Sequence, residues 1–277
     1  MKSVYFKNII TILILITYFI FNPIASNASV LSVKKDKDGI SLGLDKGLMK
    51  VKICTENVVE VRYTIFPTFP TKESLVIINK WISSPAFSVT ESANEVVIST
   101  AKLKVKVNKS NQSVTYTDLK DNVIVSEDKG NGKKMIEATI AGIKTYNCET
   151  LFNSPTDEAL YGLGCHPEDT LSINYKGRNQ SMAIKYMTGA IPVLLSNKGY
   201  GLLWDNYSAS EFYGAETSNS QYKYVSESGL MVDYYFIYGP EFDQIIASYR
   251  NATGAAPMFG KWAFGLFQSQ DLSLIHI

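Results

Sequence analysis

The chain has 277 residues, room for one large domain or two ordinary ones, and is 45% hydrophobic and 19% charged. Its 27 basic residues against 26 acidic ones leave a formal net charge of +1. That balance removes any bulk electrostatic case for nucleic acid or an acidic membrane surface as a partner.

The N-terminus reads as a secretory signal. Lys2 and Lys7 precede the uncharged apolar run Ile9–Phe21, and Pro23 and the small residues Ala25–Ser29 follow. Cutting after Ala28 places Ser26 and Ala28 at the small-residue positions a signal peptidase needs. The run is shorter than the ~20 residues that span a bilayer. The expectation is a secreted or periplasmic protein with no stable membrane anchor after cleavage. Residues 1–28 are then signal peptide, and Cys54, Cys148 and Cys165 remain. An odd set is a poor disulfide framework, and which pair bridges, if any, is open.

From about residue 39 the pattern is β. In VEVRYTI, Val59, Val61, Tyr63 and Ile65 take one face, and Glu60, Arg62 and Thr64 the other. In KLKVKVN, Leu103, Val105 and Val107 alternate with Lys102, Lys104 and Lys106. Period-2 runs of this kind predict half-buried antiparallel strands. Turn clusters at Ser92–Glu95, Asn108–Gln112, Lys120–Asn122, Lys129–Lys134 and Asn197–Gly199 space them as in a sandwich or barrel. The last strand of this set is Leu230–Tyr238.

One helix follows. Pro240 opens it, and Phe242, Ile245, Ile246 and Tyr249 share a helical face. Glu241 and Asp243 sit at the positive end of the helix dipole, Arg250 near the negative end, and Gly254 is placed to close it. Beyond a linker with Pro257, Trp262–Phe267 is nearly all apolar and predicts a strand covered on both faces. The order predicts a sandwich over 29–239, a linker helix over 240–256, and the start of an α/β domain over 257–271.

Three stretches together resemble glycoside hydrolase family 31, the α-glucosidase and α-xylosidase family. They are DEALYGLGCHPED (Asp157–Asp169), YKGRNQSMAIKYMTGAIPVLLSNKGYGLLWDNYSASEFYG (Tyr175–Gly214), and the run from YYFIYGPEFDQIIASYR to WAFGLFQSQD. KGYGLLWDNYS is similar to the bacterial α-xylosidase branch in particular. The likeness covers about residues 157–271; residues 30–156 fit by pattern. It implies a galactose-mutarotase-like β-sandwich followed by a (β/α)8 barrel. It also implies an oligosaccharide substrate, no cofactor and no metal. The implied chemistry is hydrolysis of terminal α-linked xylose or glucose with retention. Two aspartates about 5–5.5 Å apart would act as nucleophile and acid/base. In this family both lie beyond barrel strand one, so no catalytic residue is expected in this chain, which is read as an N-terminal fragment, inactive alone. Leu272–Ile277 is read as translated sequencing-library adapter.

The resemblance places a loop from the sandwich over the sugar pocket at Lys185–Gly189. Lys185, Tyr186 and Thr188 are therefore substrate-rim candidates. Tyr186 and Met187 stand where relatives often carry a polar residue, which leaves the preferred sugar open. Gln268 and Ser269 would lie at the C-terminal end of barrel strand one, the end that carries active sites. Trp204-Asp205-Asn206-Tyr207 allows two readings: a sugar platform with polar partners, or a core tryptophan followed by a turn, which is preferred. Cys165-His166 suggests a nucleophile pair, but strand neighbours point to opposite faces, so a strand-end thiol and a hydrogen-bonded histidine are expected. Asp157-Glu158 and Glu168-Asp169 are expected to be solvated loop charges. A different class also stays open, a complete secreted carbohydrate-binding sandwich without catalysis. Because Trp262–Phe267 would be an unpaired apolar edge, a chain ending near Tyr238 is expected to be the more soluble.

Overall fold

The computed structural model describes residues 29–71, 73–130, 132–166, 172–184, 188–216 and 220–265. Two antiparallel sheets face each other across a shared apolar core. The first runs, in spatial order, β1 (Val30–Asp36), β2 (Gly39–Leu44), β3 (Leu48–Ile53), β4 (Val58–Thr64), β18 (Val232–Tyr238), β15 (Tyr200–Trp204), β14 (Gly189–Ser196) and β12 (Leu160–Cys165). The second begins with β13 (Asn179–Ser181), β16 (Ser210–Glu216), β17 (Gln221–Gly229) and β11 (Ile143–Asn153). It continues through β9 (Val123–Glu127), β8 (Val114–Thr117), β7 (Lys104–Asn108), β6 (Glu95–Ser99) and β5 (Ser88–Glu91), with β10 (Lys133–Ile140) paired to β11 beside this path. This is the mainly β, antiparallel sandwich that the alternating runs predict.

Strand β7 follows its sequence pattern. Val105 and Val107 are fully buried, with Tyr116 and Val114 opposite on β8. Lys104 and Lys106 turn outward, and each ammonium lies 2.7 Å from the Asp121 carboxylate. Strand β4 differs. Val59, Val61 and Tyr63 enter the core as predicted, but Glu60 and Thr64 on the opposite face are buried too. That face is covered because Ile77 and Trp81 pack over the first sheet together with the helix α1 (Phe242–Thr253). Glu60 is satisfied there by the Tyr235 hydroxyl at 3.0 Å and by Lys52 and Arg62.

Helix α1 ends as predicted: Gly254 has φ 92°, and its N–H donates to Arg250 O at 2.8 Å. Its buried stripe is rotated from the predicted one. Ile245 and Ala252 are buried and Tyr249 packs beside them, whereas Ile246 is exposed and Phe242 only meets Tyr161 edge-on. The helix lies directly on β15, where a Cβ on Gly201 would stand 2.6 Å from Ile245 Cγ2. That close approach brings Ile245 under the helix and turns Ile246 away.

The run after the helix corrects its prediction. Lys261–Phe264 forms a 3-10 turn instead of a strand, with Trp262 77% and Phe264 73% exposed. A strand exists through hydrogen bonds to its neighbours, and no described residue pairs with this run. Phe267 lies outside the described residues.

Candidate functional site

The YGLG segment builds one end of the sandwich. Gly162, Leu163 and Gly164 all have positive φ, at 106°, 63° and 101°. The pairing of β12 with β14 slips here: Gly162 faces Leu194, but Gly164 faces Ala190. A Cβ on Gly164 would lie 1.8 Å from Gly189 O, and one on Gly162 2.3 Å from Val193 O, so both positions require glycine. The result is a β-bulge that bends β12 toward His166. The His166 Nε2–H donates to Leu163 O at 2.8 Å, which leaves Nδ1 to accept from Gln180 Nε2 at 3.2 Å. Cys165 is an exposed free thiol paired through its backbone with Gly189. The hydrogen-bonded histidine and strand-end thiol read from sequence are what the structure contains.

Beside this bulge is a cleft of about 490 Å³ whose walls include Val76, Ile184, Pro192, Asp205, Asn206 and Tyr207. Most of its exposed lining is apolar. Tyr207 is one wall, with its hydroxyl accepting from the Leu75 N–H at 2.5 Å. Burial, and after it the Asp205 carboxylate, raise the Tyr207 phenol above its usual range. Asn206 makes the turn, accepting from Ser208 N at 2.9 Å and donating to Ser228 O at 3.2 Å.

The residues singled out from sequence separate into three groups. Thr188 is half-buried and directly precedes β14, whose Ala190 and Pro192 line the cleft. Trp204 and Asp205 are 1% and 2% exposed. The Trp204 indole points into the core, stacked on Tyr224 with centroids 5.7 Å apart, and Nε1 donates to Ser226 Oγ at 2.7 Å. It is therefore a core tryptophan followed by a turn, and its ring is closed to a sugar. Lys185, Tyr186, Gln268, Ser269 and the pair Glu168-Asp169 lie outside the described residues.

Two further expectations are corrected. Glu158 is buried, not solvated: its carboxylate accepts from Ser154 Oγ and Ser196 Oγ at 2.5 Å each and from Tyr200 Oη at 2.6 Å. Its neighbour Asp157 does reach the surface, where the Lys198 ammonium lowers its pKa. Lys133, placed by the sequence in the turn cluster Lys129–Lys134, lies in a strand. It opens β10 and forms a buried ion pair with Glu127. Burial lowers the Lys133 pKa, opposed by the Glu127 charge. Neither carboxylate reaches a cleft, so both are structural. Sequence reading missed them because what buries them, Ser196 and Tyr200 over Glu158 and Tyr234 beside Glu127, is distant in the chain. Cys54, Cys148 and Cys165 are all free, so the open question of a bridge closes on none. Among the described residues no three His, Cys, Asp or Glu side chains are grouped to hold a metal.

The fold and the bulged glycine segment define a galactose-mutarotase-like β-sandwich domain. The profile described as "Glycosyl hydrolase 31 N-terminal galactose mutarotase-like domain" matches residues 48–212. The chain is 30% identical over 230 residues to an α-xylosidase of Saccharolobus solfataricus, covering 80% of this chain and 30% of that protein. It is 31% identical over 201 residues to an isomaltosyltransferase of Sporosarcina globispora, covering 67% and 18%. Among solved structures it superposes on an α-xylosidase of Xanthomonas citri with TM-score 0.77 at 18% identity, covering 84% and 41%. A dextranase of Flavobacterium johnsoniae complexed with glucose gives TM-score 0.73 at 22% identity, covering 87% and 30%. The chain belongs to glycoside hydrolase family 31 and spans less than a third of the length of these curated relatives.

Proposed function

We propose that the chain is the N-terminal, non-catalytic part of a secreted or periplasmic retaining α-glycosidase. It removes terminal α-linked xylose from oligosaccharides, with glucose the second choice. The observation that carries the reading is the match over residues 48–212, within a chain spanning 30% of its α-xylosidase relative. KGYGLLWDNYS, which forms the β14–β15 turn and β15, favours xylose. The catalytic aspartates belong to the barrel beyond residue 271. Lys185, Tyr186 and Thr188 are the side chains this reading assigns to substrate contact, with Gln268 and Ser269 as further candidates. Ile78, Ile82, Ile246, Met258, Phe259 and Trp262 are exposed, and in this reading the barrel covers apolar residues of this kind.

The test is turnover of aryl α-xyloside and α-glucoside by the enzyme read from the complete frame, beside the 277-residue chain alone. The complete enzyme should prefer the xyloside and release the α-anomer first, and the short chain should turn over neither. Turnover by the short chain overturns the reading. Likeness to the isomaltosyltransferase favours a second reading, transfer to a sugar acceptor, which the same assay detects as products longer than the substrate. If the complete frame encodes no barrel, the chain is a carbohydrate-binding sandwich.

A further inference from the structure

The chain crosses from one sheet to the other between β13 and β14, and Thr188 lies in that connection. β13 and β12 are the edge strands of their respective sheets, so no ladder joins them. We propose that His166 is the positioning residue that joins them and thereby fixes both ends of the β13–β14 connection. The inference rests on the reading above that Thr188 faces substrate.

The contacts converge on one imidazole. Upstream, Gln180 on β13 donates from Nε2 to His166 Nδ1 and to Ser181 O, at 3.2 and 2.9 Å. Downstream, Cys165, adjacent to His166, pairs with Gly189, the first residue of β14. His166 is held to this strand by its own bond to Leu163 O, a carbonyl turned toward it by the positive-φ bulge. One Nε2–H tautomer satisfies both bonds: Nε2 must donate because a carbonyl faces it, and Nδ1 must accept because an amide N–H faces it. A neutral aliphatic side chain makes neither bond. Met182 N donates to Ser210 O at 2.8 Å, which holds β13 to its own sheet but gives no link to β12.

Hydrogen exchange on the 277-residue chain tests the clasp. In His166→Ala, which loses both bonds, amides of Gly189–Ile191 should exchange about five- to tenfold faster, the weight of the one ordinary hydrogen bond that crosses to β13. Amides of β15 and β18 should be unchanged. Gln180→Leu should do the same while keeping the bond from His166 to Leu163 O, and serves alone if His166→Ala does not fold. The chain has two histidines, so the His166 ring nitrogens are assignable by NMR, and Gln180→Leu should shift Nδ1 and not Nε2. Unchanged exchange at Gly189–Ile191 or an unmoved Nδ1 overturns the clasp. In the complete enzyme His166→Ala should lower kcat/KM. Faster exchange with unchanged kinetics upholds the clasp and overturns the placing of Thr188 at the substrate rim.

Discussion

Tyr200 Oη lies 2.6 Å from Glu158 Oε1, and the same hydroxyl lies 2.8 Å from Tyr222 Oη on the opposite sheet. A carboxylate on the loop before β12 is thereby tied through β15 to β17, across the full thickness of the sandwich. Ser154 and Ser196 complete its coordination, and Lys176 reaches Ser154 Oγ at 2.6 Å. Burial, and then the Glu158 charge, raise the Tyr200 phenol far above its usual range, so it stays a donor. Glu158→Leu takes the shared acceptor from three buried hydroxyls and should lower stability by about 3–5 kcal/mol. Tyr200→Phe should lose about 1–2 kcal/mol. Urea denaturation measures both, and a Glu158→Leu chain as stable as the wild type would refute the network's role.

The Glu127–Lys133 pair makes a second polar node in the core. Glu127 also accepts from Tyr234 Oη at 2.7 Å and Val114 N at 2.8 Å, and Lys133 donates to Gln112 O at 3.2 Å. Lys133→Met leaves a buried carboxylate without its counter-charge and should cost about 3–5 kcal/mol. Adding Glu127→Gln should recover part of that loss. Equal stability of the two variants in denaturant would show that the charge is not the cause.

Tyr224 sets a contrast with the other core tyrosines. Its ring stacks on Trp204, but its buried hydroxyl has no hydrogen-bond partner among the described residues. Removing an unsatisfied hydroxyl while keeping the ring relieves its desolvation. Tyr224→Phe should match or exceed wild-type stability by about 1 kcal/mol. A loss of that size, read as a lower denaturant midpoint, would place a partner on Tyr224.

Asp121 gives a pH dependence with a definite sign. Hydrogen bonds from Lys104 and Lys106 depress its pKa from the usual 3.8 to about 2. The folded value lies below the unfolded one, so its contribution is complete above the unfolded pKa and is lost as pH falls toward the folded pKa. The group is on the surface, so the effect is small and screened by salt. Melting temperature should fall between about pH 4 and pH 2 in dilute buffer. Asp121→Asn should reduce that fall, and a variant with an identical pH profile would rule out the pair.

Where the chain is cut should decide how it behaves. Met258 and Phe259 are 95% and 60% exposed, whereas Ile245 and Ala252 are buried on the sheet. Ending at Tyr238 removes α1 and bares Val193, Leu203, Tyr235 and Ile237, which pack with it. That reverses the expectation drawn from sequence. A chain ending at Ala255, which keeps the helix and its glycine cap, should be more soluble than both the full 277 residues and one ending at Tyr238. Sedimentation of the three at matched concentration checks this.

Period-2 alternation determined the strands at Val59–Tyr63 and Leu103–Val107, because one residue in two must face the core whatever the sheet pairs with. Turn residues and the Gly254 cap were equally legible, since they act within a few residues. The glycines of YGLG pointed to the family, and the same local backbone demand explains them. Only the tertiary structure decided the rest. It buried Glu60, Glu158 and Lys133, rotated α1 on Gly201, and gave Trp204 to the core instead of to a sugar. It also brought Gln180 to His166 across two sheet edges. Each depends on strands and loops that only the fold brings together, and local patterning records which face a residue takes, not what covers that face.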